Sequence, residues 1–233
     1  MNRPLQHRSI GAFAACLVLL AAALPVALAN ESVATNATAA TSAAEALVKL
    51  QDGNKRYVES HMSGVTYCNK ADREKLVAGQ HPYAIILSCS DSRVPPELVF
   101  DEGLGEIFVV RVAGNIVDPV VLGSIEYAAE HLGTPLIMIM GHEKCGAVKA
   151  TLDSKGHAEG NIGAIVSGIA PALKTAKAQD AESVADANIA LVKANLTAQS
   201  SLLAGLVKEG RVKIVTAKYH IDTGVVALID GLK

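Results

Sequence analysis

Tryptophan is absent from this sequence, and aromatic residues amount to only 3% of it. A stacking platform for nucleobases or sugar rings is therefore not available, and the expected ligand is small. No long basic run occurs, and the formal net charge is -2 at pH 7. Nucleic acid is excluded as a partner class, because its affinity rests on clustered Lys and Arg neutralising phosphates. A nucleotide phosphate loop is missing as well: Gly103-Leu104-Gly105 is followed by a strand-like run and not by a helix. What the chain does have is 50% hydrophobic residues over 233 positions, enough to bury a real core in an α/β domain.

The first residues differ from the rest. Arg3 and Arg8 precede a charge-free, Ala- and Leu-rich stretch from Ile10 to Leu28, which closes with Ala27-Leu28-Ala29. This is the pattern of a signal peptide cleaved after Ala29. An uncleaved anchor is the other reading, since the run is nearly long enough to span a bilayer. The small residues at its end favour cleavage, so residues 1–29 are expected to be a signal peptide and the mature protein periplasmic or secreted, without stable membrane insertion. Residues 30–42 are mostly Ala, Thr, Asn and Ser, can bury little surface, and are expected to form a flexible segment. A single folded domain is expected over 43–233.

From Ala43 the periodicity turns helical, with Leu47, Leu50 and Tyr57 on one apolar stripe interrupted by Gly53, and the helix is expected to pack on a partner subunit. Four short apolar runs lack polar alternation: Tyr83–Ser88, Ile107–Val112, Leu136–Met140 and Val212–Ala217. Such runs suit strands covered on both faces. Helical patterns separate them at Val120–Leu132 and Gly146–Leu152, with a long Ala-rich helical region over Ile162–Val207. The expected fold class is α/β, a mostly parallel central sheet flanked by helices.

Working residues in such sheets collect beyond the carboxyl ends of the strands. The first run leads into Cys89-Ser90-Asp91-Ser92-Arg93, and the third into Gly141-His142-Glu143-Lys144-Cys145-Gly146. Cys89, His142 and Cys145 together offer two thiolates and an imidazole, the donors zinc prefers in tetrahedral geometry, with a fourth position left open. The competing reading of the two thiols is a disulfide, which an oxidising compartment would permit. Cys68 has no evident partner. Asp91 and Arg93, one residue apart, can pair by charge-assisted hydrogen bonds. Held that way, Asp91 stays off the metal; released, it can become a fourth ligand in a closed form.

In order and spacing, Cys89-Ser-Asp-Ser-Arg-Val-Pro-Pro-Glu97, Phe108-Val-Val-Arg-Val-Ala-Gly-Asn115, Gly123-Ser-Ile-Glu-Tyr127 and Gly141-His-Glu-Lys-Cys-Gly146 resemble the β-class carbonic anhydrases. The likeness runs from Gly53-Asn-Lys-Arg-Tyr57 to Tyr219-His-Ile-Asp-Thr-Gly224. It implies a Zn2+ enzyme that reversibly hydrates carbon dioxide to bicarbonate, with Cys89, His142 and Cys145 as ligands and Asp91 and Arg93 as the catalytic dyad. It also implies a homodimer or a higher assembly of dimers, in which Gln80 resembles a glutamine that reaches substrate across the dimer interface. Phe108 and Tyr127 resemble pocket positions, and Gly146 a backbone donor to substrate. Members regulated by bicarbonate at a second site carry Trp three positions before the first Cys ligand, where this chain has Ile86; Arg111 and Tyr219 resemble that site's other residues. Two rivals stay open, a carbonyl sulfide or carbon disulfide hydrolase using the same site, and a non-catalytic zinc- or bicarbonate-binding protein.

Overall fold

Ser42 starts the first helix with a capping box. Its hydroxyl accepts the N–H of Glu45 at 3.2 Å while the Glu45 carboxylate accepts the N–H of Ser42 at 2.8 Å, satisfying two orphan donors of helix α1 (Ala43–Val58). The computed structural model describes residues 41–66 and 68–232; the signal-peptide region and nearly all of the 30–42 segment lie outside them. Five strands follow: β1 (Ala84–Ser88), β2 (Ile107–Arg111), β3 (Leu136–His142), β4 (Lys213–Tyr219) and β5 (Val226–Asp230). They form one sheet in the order β2-β1-β3-β4-β5, with the first four parallel and β5 antiparallel to β4. The remaining helices are α2 (Lys70–Lys75), α3 (Pro96–Val99), α4 (Pro119–Glu130), α5 (Gly146–Asp153), α6 (Ile162–Ile169), α7 (Ala172–Thr175), α8 (Ala181–Gln199) and α9 (Ser201–Lys208).

The uninterrupted apolar runs are explained by helices on both faces of the sheet. Along β1, Ile86 joins one core cluster with Leu50, Phe100, Val148 and Ile169, whereas Ile85 and Leu87 join the other with Ile125, Ile189 and Leu203. Strand β3 alternates in the same way, Met138 and Met140 to the first side, Ile137 and Ile139 to the second. All of these strand residues are essentially inaccessible. Each contributes roughly 1.5–3 kcal/mol by leaving water.

The structure refines three readings. The stripe on α1 is buried within its own chain: Leu47 and Leu50 are core residues, and Asn54 donates to the carbonyls of Val99 and Gly224 at 3.1 and 2.8 Å. Gly53 stands within α1. It lets the helix approach so closely that a Cβ there would lie 1.8 Å from the carbonyl oxygen of Phe100. The helical region Ile162–Val207 resolves into four helices, α6 to α9. Pro171 lacks the N–H a continuing helix needs, and Ser200 leaves helical geometry to cap α9 through Leu203 N–H at 3.1 Å.

Candidate metal centre

Adjacent strands β1 and β3 run parallel, so their carboxyl ends bring Cys89 and the His142–Cys145 turn side by side. The loop after β1 is held from β2. Arg111 donates to the carbonyl of Cys89 at 2.9 Å and to that of Asp91 at 2.6 Å. The N–H of Gly114 points at Cys89 Sγ, 3.3 Å away, while the Gly114 carbonyl accepts Asn188 Nδ2 at 2.8 Å. Gly114 has φ of 70°, a conformation that glycine adopts without steric cost.

On the β3 side, His142 Nδ1 lies 2.7 Å from the carbonyl oxygen of Glu143. A carbonyl only accepts, so Nδ1 carries the hydrogen and Nε2 presents a lone pair. That Nε2 is buried and has no hydrogen-bond partner. Glu143 itself is anchored, its carboxylate 2.7 Å from His220 Nδ1 and accepting the N–H of Ile221 at 3.2 Å. Lys144 takes a left-handed conformation with φ of 52°, which turns the chain sharply enough for Cys145 to face back towards His142 at the start of α5.

The donor atoms of Cys89, His142 and Cys145 all lie within 4.8 Å of one another, and all three residues are buried. This is a cluster of the size that one small cation gathers, with zinc bonds of about 2.0–2.3 Å. Both sulfurs are free thiols, not a disulfide, and Cys68 is an exposed free thiol. The hydrogen bond from Cys145 pulls the Cys89 thiol down to about 4 against its burial, helped by His142 and the Gly114 N–H. Cys145 is pushed up, by its hydrogen bond to Cys89 and by its own burial. For His142 burial opposes protonation, yet the nearby Cys89 thiolate, the Glu143 carbonyl and Asp91 outweigh it and the pKa rises. A cluster that draws positive charge onto itself, with one orphaned imidazole nitrogen, fits a zinc ion.

Beside the cluster, Arg93 holds Asp91 with both arms of its guanidinium, Nε to Oδ1 at 2.9 Å and Nη2 to Oδ2 at 2.7 Å. Its remaining reach goes to the Lys144 carbonyl at 3.3 Å. The fork holds the Asp91 carboxyl well below the usual carboxylate range. Asp91 Oδ2 still lies only 4.0 Å from His142 Nε2.

Of the other residues singled out in the sequence, Gly146 directly follows Cys145 and Arg111 holds the loop after β1, whereas Gln80, Phe108 and Tyr127 are not gathered here. Gln80 is exposed, before the amino end of β1. Phe108 pairs with Ile85, about 13 Å of strand from the level of Cys89. Its ring lies 6.3 Å from that of Tyr127, which is half exposed on α4. Gly146 begins α5 with nothing within 4 Å of the position of a Cβ. Ile86 is wholly buried, Arg111 is committed to the β1 loop, and Tyr219 pairs its hydroxyl with that of Tyr57 at 3.2 Å. Sequence reasoning missed Asn188 and Glu182, both on α8, whose contacts with Gly114 and Lys144 depend on how α8 packs and leave no local pattern.

The model of the carbonic anhydrase family matches residues 84–226. Carbonic anhydrase 2 of Mycobacterium tuberculosis is 37% identical over 189 residues, covering 78% of this chain and 91% of the relative. A carbonic anhydrase of Mycolicibacterium smegmatis is 38% identical over 185 residues, covering 77% and 89%. Among solved structures, Coccomyxa β-carbonic anhydrase in complex with acetazolamide superposes with a TM-score of 0.63 at 25% identity, covering 78% of this chain and 86% of that one. The β-carbonic anhydrase CcaA gives 0.62 at 26% identity, covering 79% and 95%.

Proposed function

The chain belongs to the β-class carbonic anhydrases, and from that premise we propose that it reversibly hydrates carbon dioxide to bicarbonate at a zinc ion held by Cys89, His142 and Cys145. The observation that carries the proposal is the orphaned, buried Nε2 of His142, facing two free thiols beside a carboxylate locked by arginine. Zinc at such a site supplies the Lewis acidity that makes water nucleophilic near neutral pH.

The protein's own groups then do the positioning. Arg93 occupies both oxygens of Asp91, which keeps the carboxylate charged and turned aside from the ligand atoms. From there Asp91 accepts a hydrogen from the attacking water and fixes its orientation towards the substrate carbon. Cys145 and Gly146 lead into α5, whose first N–H groups and positive dipole end favour the developing anion, and the open space over Gly146 leaves room for it. His142 is kept in one tautomer by the Glu143 carbonyl, so its lone pair stays on the cluster.

The proposal includes a homodimer or an assembly of dimers. Gln80, Phe108 and Tyr127 stand away from the cluster of their own chain, so they can serve substrate only at a second copy's site. Val120 and Tyr127, 78% and 47% exposed, leave apolar surface on α4 next to edge strand β2. We also propose export, with residues 1–29 removed and 43–233 the enzyme domain; among the described residues no helix is long and apolar enough to cross a membrane. The N-terminal sequence of protein from the periplasmic fraction, expected to begin at Asn30, tests this. Metal analysis with stopped-flow hydration of carbon dioxide tests the activity, with carbonyl sulfide and carbon disulfide as competing substrates. Zinc-replete protein that hydrates no carbon dioxide at any pH would refute it, and hydrolysis of carbonyl sulfide or carbon disulfide in its place would favour the rival substrate.

A further inference from the structure

Lys144 sits between two of the three ligands and is the residue whose backbone makes the turn possible. Its φ of 52° costs a non-glycine residue roughly 1–2 kcal/mol, a strain that persists only where the surroundings impose it. Both of its peptide groups are held from outside the turn. The carbonyl accepts Arg93 Nη2 at 3.3 Å, and the N–H donates to Glu182 Oε1 at 3.1 Å. Glu182 comes from the first turn of α8, thirty-odd residues further along, and its other oxygen is 2.8 Å from Lys218 Nζ. Lys218 stands opposite Gly141 in the β3–β4 register, one step before His142, and its ammonium also meets Asp186, one helical turn beyond Glu182, at 2.8 Å. Only 12% of the Lys218 side chain is exposed. An ion triad anchored on β4, the neighbour of the strand that ends in His142, thus aims one carboxylate oxygen at the strained peptide between the ligands.

We propose that Glu182 is a positioning residue for zinc: by accepting the Lys144 N–H, with Lys218 steering its carboxylate, it holds the His142–Cys145 turn in its ligating conformation and keeps the Lys144 carbonyl facing Arg93. This rests on the zinc reading above. One hydrogen bond therefore serves two parts of the site, the spacing of two ligands and the third contact of the arginine that secures Asp91. Removing partners of this kind costs about 10–100-fold in metal affinity or activity.

The test is the rate at which zinc leaves the purified holoenzyme for a chromogenic chelator, with thermal unfolding measured alongside. Glu182→Ala should release zinc about tenfold faster or more. Glu182→Gln keeps the accepting oxygen and should restore most of the retention. In a Lys144→Gly background, where the left-handed turn carries no strain, the added effect of Glu182→Ala should shrink; a merely structural role for Glu182 would leave it unchanged. If Glu182→Ala does not fold, Glu182→Asp, whose arm is one methylene shorter, takes its place in the same comparison. Release from Glu182→Ala as slow as from wild type, or an equal loss in the Lys144→Gly background, overturns the proposal. Wild-type protein that binds no zinc at all would instead overturn the metal reading, and this one with it.

Discussion

Arg93 closes on Asp91 through two parallel hydrogen bonds, at 2.9 and 2.7 Å, from a side chain that is itself 46% exposed while the carboxylate is 17% exposed. The strength of the pair comes from its fork geometry and from the low exposure of the acid, since an ordinary surface ion pair contributes only about 0–1 kcal/mol. With Arg93→Ala, Asp91 is free to turn towards the ligand atoms, and carbon dioxide hydration should fall about 100-fold or more while zinc content is kept. Arg93→Lys should recover little, because an ammonium cannot grip both oxygens. Stopped-flow rates with metal analysis on the same preparations check both outcomes.

Zinc removal should cost stability as well as activity. The bare cluster juxtaposes two thiols and an orphaned imidazole nitrogen in the core, and a bound cation satisfies all three. Stripping the protein with a chelator should lower its unfolding midpoint, and free zinc at about 1,000 times its Kd should return about 4 kcal/mol. In Cys145→Ser this response should be largely lost. Calorimetry with and without zinc makes the measurement.

The triad of Lys218, Glu182 and Asp186 defines a pH window. Burial alone would raise Glu182, but its bonds to Lys218 and the Lys144 N–H lower it; burial alone would lower Lys218, but Asp186 and Glu182 raise it, with Asp180 adding negative charge near by. A depressed carboxyl adds stability above its unfolded pKa of about 4.3 and loses it as pH falls through the folded value. A raised ammonium adds stability below its unfolded pKa of about 10.4 and loses it as pH rises through the folded value. The stability lost on Lys218→Met should therefore be nearly constant from about pH 5 to pH 10 and shrink below about pH 4. Urea unfolding of the two proteins across that range tests the sign.

Gly114→Ala should destabilise by about 1–3 kcal/mol, since its φ of 70° disfavours a side chain and the new Cβ would lie 2.5 Å from Ile169 Cδ1. The shift should also move the N–H that faces Cys89 Sγ, so zinc affinity should fall with stability. Denaturant unfolding and a zinc competition titration read the two effects separately.

Much of the sheet was legible because its central strands β1 and β3 are buried on both faces. The apolar runs at Tyr83–Ser88 and Leu136–Met140 lie almost residue for residue on β1 and β3. Strand β5 was not singled out: Val226–Ile229 is a continuous apolar run, but it is short, and it forms a partly exposed antiparallel edge instead of a buried parallel strand. The breaks between α6 and α9 were missed because an Ala-rich composition outweighed the local signals of Pro171 and Ser200.

For the site, residue type and spacing were sufficient to name Cys89, His142 and Cys145, because a donor set at two strand ends is a property of the chain order itself. The Asp91–Arg93 pair was equally local, two residues apart on one loop. Which peptide groups hold that site in shape was decided only by tertiary structure. Glu182 meets Lys144, Asn188 meets Gly114 and Arg111 meets Cys89 across large separations in sequence, so each contact exists only once α8 and β2 have packed beside the ligand loops. Local sequence can specify a ligand, but the orientation of a strained peptide is set by whichever distant donor or acceptor the packed fold brings to it.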